Sequence, residues 1–236
     1  MTQDEAKGLV ARRAAELVAD GMVVGLGTGT TATLFIRELA ARKLDIRCVA
    51  SSDASHQLAE SLGMRVATLK ELPELDVYVD GADEVCAGAG GGLDLIKGGG
   101  GALLREKIVA SAAREFIVVA DSTKAVEVLG KFPLPVEVIK MALPLVEPKL
   151  AAQGLHPKLR AAKSGDGPYV TDEGNYILDC TCGRIEEPEV TAAEIRSIVG
   201  VVEHGLFLGM ATLALVAGED GVKELRAQDL QAHAMR

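Results

Sequence analysis

The sequence predicts an α/β fold whose main sheet is mostly parallel. Short apolar runs of strand length, near residues 22–26, 46–50, 64–69, 76–80 and 116–120, alternate with helical patterns through the first 131 residues. Several runs end in glycine, hydroxyl or charged residues, where parallel sheets bind ligands outside the carboxyl ends of their strands. From residue 132 the pattern changes to β-α-β-β-α-β, the ferredoxin-like split order. The expected organisation is a Rossmann-like unit, residues 1–131 and 207–236, with a smaller α+β unit, residues 132–206, inserted in it.

Composition narrows the function classes. A chain of 236 residues with 48% hydrophobic content can bury real cores and is not a disordered chain. No apolar run reaches the roughly 18–20 residues of a membrane span. The start, M-T-Q-D-E-A-K, is polar and acidic, unlike a secretory signal, so a cytoplasmic location with reduced thiols is expected. A net charge of −9 and 3% aromatic residues argue against nucleic-acid binding. Cys48, Cys86, Cys180 and Cys182 lack zinc spacing, and no histidine motif accompanies them as catalytic groups.

Residues 2–19 read as an amphipathic helix with a capping box at Thr2 and Glu5, ended by Gly21. The strand at 22–26 runs into G-L-G-T-G-T-T-A, residues 25–32, and a helix over 32–42 follows. Strand, glycine turn and helix is an arrangement that binds phosphate at a helix N-terminus. The hydroxyls of Thr28, Thr30 and Thr31 suit a terminal phosphate. The plainer reading is a helix cap with spare threonines. Gly27, Gly29 and Ala32 also fit a relaxed dinucleotide fingerprint, with Asp53 in S-S-D-A-S as its acidic partner.

A helix over 55–62 closes at Gly63, and 64–69 reads as a strand. In D-V-Y-V-D-G-A-D-E, residues 76–84, the strand ends near Asp80, and Asp83 follows a glycine turn. Two carboxylates so close repel, so one is expected to hold a proton near neutral pH. An Asp-rich turn is the alternative. A metal site is the weaker one, since no histidine or third clear ligand is near.

The centre of the chain is L-D-L-I-K-G-G-G-G-A-L-L-R-E-K, residues 93–107. Four glycines lose much conformational entropy on folding, which makes sense where backbone must approach a ligand. The helix after them, over 102–113, aims its free N–H groups back into the loop. Lys97 and Glu106 flank this candidate cradle, whose plain alternative is a flexible loop. On a helix Glu106 has Ala102, Leu103, Val109 and Ala110 around it, which should raise its pKa. Its rival reading, an ion pair with Arg105 or Lys107, is weakened because adjacent helical residues do not face each other.

A strand over 116–120 ends in D-S-T-K, which puts Lys124 on the same edge. Beyond it the pattern gives a strand within 131–140, a helix over 143–153, and a hairpin of 169–170 with 175–180. A helix over 188–198 and a strand over 201–204 complete the inserted unit. The run 207–218 is expected to return to the first sheet, 221–225 to start a last short helix, and the tail 228–236 to be disordered.

These motifs resemble the ribose-5-phosphate isomerase family of the A type over almost the whole chain. The resemblance rests on G-L-G-T-G-T-T-A (25–32), S-S-D-A-S (51–55), Y-V-D-G-A-D-E (78–84), I-K-G-G-G-G-A-L-L-R-E-K-I-V (96–109) and L-G-K-F-P-L-P-V-E-V-I (129–139). V-T-D-E-G-N-Y-I-L-D (170–179) and G-L-F-L-G-M-A (205–211) are similar too. Thr30 stands where that family usually has serine, which keeps the hydroxyl. The resemblance implies interconversion of D-ribose 5-phosphate and D-ribulose 5-phosphate without metal or organic cofactor. It implies Glu106 as the proton-transferring base, with Asp80, Asp83 and Lys97 as its partners. It implies substrate contacts from Thr28, Gly29, Thr30 and Thr31, from Asp80, Gly81, Ala82 and Asp83, from Lys97, Gly98, Gly99 and Gly100, and from Lys124. A homodimer or homotetramer is implied as well. Two competing readings are a dinucleotide-dependent oxidoreductase, which lacks a histidine hydride-transfer constellation, and a non-catalytic sugar-phosphate sensor. The sensor would need a DNA-binding domain, and only about 20 residues precede the first strand.

Overall fold

The computed structural model describes residues 1–88, 91–163 and 165–227. The first stretch contains α1 (Gln3–Glu16), β1 (Val23–Leu26), α2 (Thr30–Ala41), β2 (Arg47–Ala50), α3 (Asp53–Ser61) and β3 (Leu75–Gly81). Next come β4 (Glu84–Ala87), β5 (Leu93–Ile96), α4 (Leu103–Ser111) and β6 (Ala113–Asp121). The following group is β7 (Leu134–Val138), α5 (Leu143–Ala152), β8 (Pro157–Leu159), β9 (Tyr176–Cys180), α6 (Pro188–Arg196) and β10 (Val201–His204). The chain returns through β11 (Leu206–Ala211), β12 (Leu213–Gly218) and β13 (Gly221–Arg226).

The capping box forms at α1: the Thr2 hydroxyl accepts the Glu5 N–H at 3.2 Å and the Glu5 carboxylate accepts the Thr2 N–H at 2.7 Å. The main sheet has the order β13-β12-β6-β3-β1-β2. Every neighbouring pair in it is parallel except β12 with β13. Alternation along its strands fills two cores. Val24, Leu26, Val77, Val79, Ile117 and Val119 pack on α1 and α2. Tyr78, Phe116 and Val118 pack on the other face, against Leu93 and Leu95 of β5, Val109 of α4 and Phe207 of β11. Burial on both faces explains why these strands read as continuous apolar runs.

Strands β7 to β10 form a separate antiparallel sheet of order β10-β7-β9-β8, so β7 and β8 flank β9 as a split unit requires. Leu134, Val136, Val138, Leu178 and Cys180 face α5 and α6. A third sheet, β11-β5-β4, joins the two. Among the described residues no helix is long and apolar enough to cross a membrane.

Four expectations are corrected. Residues 64–69 make a single bridge, Cys48 with Val66, because Thr68 turns the chain away: its N–H and hydroxyl donate to Glu71 at 2.9 and 2.8 Å. Residues 169–170 are not the hairpin partner of β9. That partner is β8, although the turn itself forms, with the Asn175 N–H on the Thr171 hydroxyl at 3.1 Å. The run 207–218 divides: β11 pairs with β5, and only β12 enters the main sheet, after the Thr212 N–H bonds the Phe116 carbonyl at 2.9 Å. Residues 221–225 are strand, not helix. Gly221, at φ 100°, turns a tight hairpin, and Val222 and Leu225 then pack on opposite faces of the sheet. The tail expected to be disordered, 228–236, lies outside the described residues.

Candidate active site

The site grows from the carboxyl end of β3. Asp80 is fully buried, and its carboxylate has four donors. Oδ1 accepts the Thr28 N–H at 2.9 Å and the Gly81 N–H at 2.7 Å. Oδ2 accepts the Tyr78 hydroxyl and, at 2.8 Å, Lys97 Nζ. Burial, then the Asp80 charge, pushes the Tyr78 phenol well above its ordinary pKa, so it stays a donor. Gly27 is required here: a Cβ would overlap the Asp80 carboxylate. That close approach, rather than a dinucleotide turn, accounts for this glycine.

Lys97 follows β5 and reaches back under the sheet edge. Nζ also donates to the Gly81 carbonyl at 2.6 Å and lies 3.3 Å from Glu106 Oε2. Burial alone would lower the lysine pKa, but Asp80 and Glu106 outweigh it and raise it. Glu106 comes from the first turn of α4 and is 3% exposed. Its Oε2 is within ion-pair reach of Lys97 yet is not aligned for a hydrogen bond, and it has no other partner among the described residues. Burial pushes the carboxyl up to about 8; Lys97 opposes that shift and Asp80 adds to it. Arg105 pairs with Asp53, Asp172 and Glu173, and Lys107 with Glu203, so neither neighbour competes for Glu106. The pairing of Asp53 also removes the acid that a dinucleotide fingerprint would need.

Asp80 and Asp83 engage different partners. Asp83 accepts the Gly99 N–H at 2.7 Å, while Asp80 turns inward to Lys97. The carboxyl held near neutral titration is Glu106.

At the other end, Gly29 caps α2 with φ 97° and no side chain satisfies the first amides of the helix. They form an anion-receptive terminus. The Thr28 hydroxyl is taken by Ser52 at 2.9 Å and Ser51 at 3.0 Å, while those of Thr30 and Thr31 have no hydrogen-bond partner among the described residues. Between these ends lies a cavity of about 200 Å³. Thr28, Gly29, Thr30, Thr31, Gly81, Ala82, Asp83, Lys97, Gly98, Gly100, Glu106 and Lys124 line it. Asp80 lies beneath the lining and Gly99 is drawn off by Asp83.

The cavity adds Gln3 and Lys7 of α1 and Asp121 of β6, none of which stood out in the sequence. Asp121 accepts the Thr123 N–H at 3.0 Å and its hydroxyl, and so shapes the 3-10 turn Ser122–Lys124 that carries Lys124 to the rim. Lys7 reads as an ordinary helix lysine until the sheet order brings α1 across β6 and β12. Burial pushes the thiols of Cys86 and Cys182 up to about 11 and that of Cys48 to about 12, which argues against a thiolate nucleophile.

A buried carboxyl titrating near neutrality, an ammonium beside it and an anion-receptive helix end define a proton-transfer enzyme for small anionic substrates. Comparison with known proteins makes this specific. The family model for ribose 5-phosphate isomerase A (phosphoriboisomerase A) matches residues 47–221. The ribose-5-phosphate isomerase A of Roseiflexus castenholzii is 52% identical over 225 residues, covering 93% of this chain and 94% of that protein. That of Caulobacter vibrioides is 48% identical over 232 residues, 96% of this chain and 100% of its own. The solved ribose 5-phosphate isomerase A of Methanocaldococcus jannaschii superposes with a TM-score of 0.90 at 42% identity, covering 95% and 100% of the two chains. A D-ribose-5-phosphate isomerase in complex with phospho-erythronic acid gives a TM-score of 0.91 at 38% identity, covering 96% and 100%. The chain belongs to the ribose 5-phosphate isomerase A family.

Proposed function

We infer that the protein interconverts D-ribose 5-phosphate and D-ribulose 5-phosphate through an enediolate. The observation that carries this reading is Glu106 Oε2, buried and unpartnered 3.3 Å from Lys97 Nζ. An aldose becomes a ketose when one proton moves from C2 to C1 and another from the C2 hydroxyl to the C1 oxygen. A carboxylate titrating at about 8 can take the carbon-bound proton and return it. The enediolate oxygen carries the developing negative charge, which Lys97 and the glycine-loop amides stabilise. Asp80, with its four donors in place, anchors Lys97. Asp83, with a carboxylate oxygen free of protein donors among the described residues, is the group left to move hydroxyl protons during ring opening.

The phosphate fits the terminus of α2, with Thr30, Thr31, Lys124 and Lys7 around it. Binding energy gained there positions C1 and C2 against Glu106. The local cations counter the net charge of −9 that a phosphate dianion would otherwise meet. Residues 132–206 are read as a unit inserted into the larger one, supported by the separate sheet of β7 to β10, whose core also takes in Cys86, Ile96 and Leu206 of the neighbouring sheet. A cytoplasmic homodimer or homotetramer completes the reading, and light scattering on the purified chain tests the assembly.

The decisive experiment is a coupled assay of ribulose 5-phosphate formation on wild type and Glu106→Gln. The variant should bind phospho-erythronic acid like the wild type and lose about 10³-fold or more in kcat. Wild-type kcat in that variant would remove Glu106 from the mechanism.

A further inference from the structure

We propose that Arg160 is a positioning residue for this reaction, holding the peptide planes of the glycine loop so that the Gly100 N–H faces the reacting oxygen. The proposal rests on the isomerase reading above. Arg160 follows β8, and its side chain is 14% exposed. Nε donates to one Asp179 oxygen at 2.9 Å and Nη2 to the other, so a carboxylate on β9 fixes the guanidinium. The remaining nitrogen, Nη1, donates to the Gly98 carbonyl at 2.9 Å and reaches the Gly99 carbonyl at 3.4 Å. Tyr169 backs the arrangement. Its N–H donates to the Arg160 carbonyl at 2.8 Å, and its hydroxyl fills the space a Cβ on Gly101 would take.

In a trans peptide the carbonyl and the following N–H point opposite ways. Holding the Gly98 carbonyl therefore sets the Gly99 N–H, which meets Asp83 at 2.7 Å. Holding the Gly99 carbonyl sets the Gly100 N–H, which has no acceptor among the described residues and belongs to a residue lining the cavity. Four glycines cannot hold such planes by themselves, since each accepts both signs of φ. Gly98 sits at φ 106° and Gly101 at φ 90°. A planar fork anchored on Asp179 supplies the missing restraint, which the point charge of a lysine cannot reproduce.

The test compares full-length wild type with Arg160→Met, Arg160→Lys and Asp179→Asn. It reads kcat and KM for ribose 5-phosphate, and Ki for inorganic phosphate and for phospho-erythronic acid. Arg160→Met should lose about 10- to 100-fold in kcat, less than outright removal of an oxyanion donor, with KM changed about twofold or less. Its Ki for phosphate should hold while its Ki for phospho-erythronic acid rises. Arg160→Lys should recover part of the loss, and Asp179→Asn should show a milder form of it. An Arg160→Met enzyme with wild-type kcat overturns the proposal, and so does a joint rise of both Ki values, which would report general disruption. If the wild type fails to isomerise, the functional reading falls, and calorimetric Kd values of the same variants for inorganic phosphate and phospho-erythronic acid still judge the clamp.

Discussion

The two ends of the cavity are made of different materials. At the reacting end the charges are side chains held by fixed partners: Lys97, at 3% exposure, lies between Asp80 and Glu106. At the anion end the positive potential comes from the backbone amides of α2 and from Lys7 and Lys124, which remain partly in solvent. Burial lets the protein choose protonation states at the first end. At the second, solvent and salt share control, which suits a group whose task is to bind and release. Substitutions at the two ends should therefore fail in different ways.

After Glu106→Gln, the largest break is expected at Lys97. Lys97→Met should lower kcat by about 10²- to 10³-fold, the scale of a lost oxyanion stabiliser. It also leaves Asp80 and Glu106 buried without their cation, a loss of ~3–5 kcal/mol by the usual cost of breaking a buried pair. Steady-state kinetics and urea unfolding measure the two effects, and a kcat loss under about tenfold would contradict the assigned role.

The pH profile sharpens the contrast next. The base form of Glu106 is populated only as pH rises towards about 8. Below that value kcat/KM should rise about tenfold per pH unit and level off above it; a flat profile between pH 6 and 8 would rule the assignment out. Stability runs the other way. The unfolded carboxyl ionises near 4.5 and the folded one near 8, so between these values the unfolded state binds fewer protons. The folded state thus loses stability as pH climbs through that window, and Glu106→Gln should not show this loss.

The smallest effect belongs to the anion end. Lys124→Ala should raise KM roughly 3- to 10-fold and leave kcat within about twofold, the signature of uniform binding. Wild-type KM should likewise rise with ionic strength, because half-solvated charges are screened. A Lys124→Ala loss confined to kcat would mean that the two ends are not separable as described.

How much of this was legible depends on sequence distance. The Thr2–Glu5 cap, the V-Y-V-D strand and the helix after the four glycines are local patterns, and all three formed as read. The small sheet was not legible, since L-D-L-I of β5 pairs with L-F-L-G-M-A of β11 more than a hundred residues away. Val222 and Leu225 are three apart, a helical spacing, but five residues hold too little period to separate helix from strand. Lys7 and Arg160 acquire meaning only from packing of distant elements. Nor did the Asp80–Asp83 spacing tell which donors each carboxylate would find.

The Lys97 N–H bonds the Gly205 carbonyl at 2.9 Å, and a Cβ on Gly205 would overlap the Lys97 carbonyl. Leu206 then registers on Ile96, and β12 covers the open edge of β6. A ribosome that has made residues 1–205 has therefore made Asp80, Asp83, Lys97 and Glu106 without the last strands of their sheets. Assembly of the centre is a late event in the life of the nascent chain. The exposed edge of β6 must be kept from other partners until those last strands emerge.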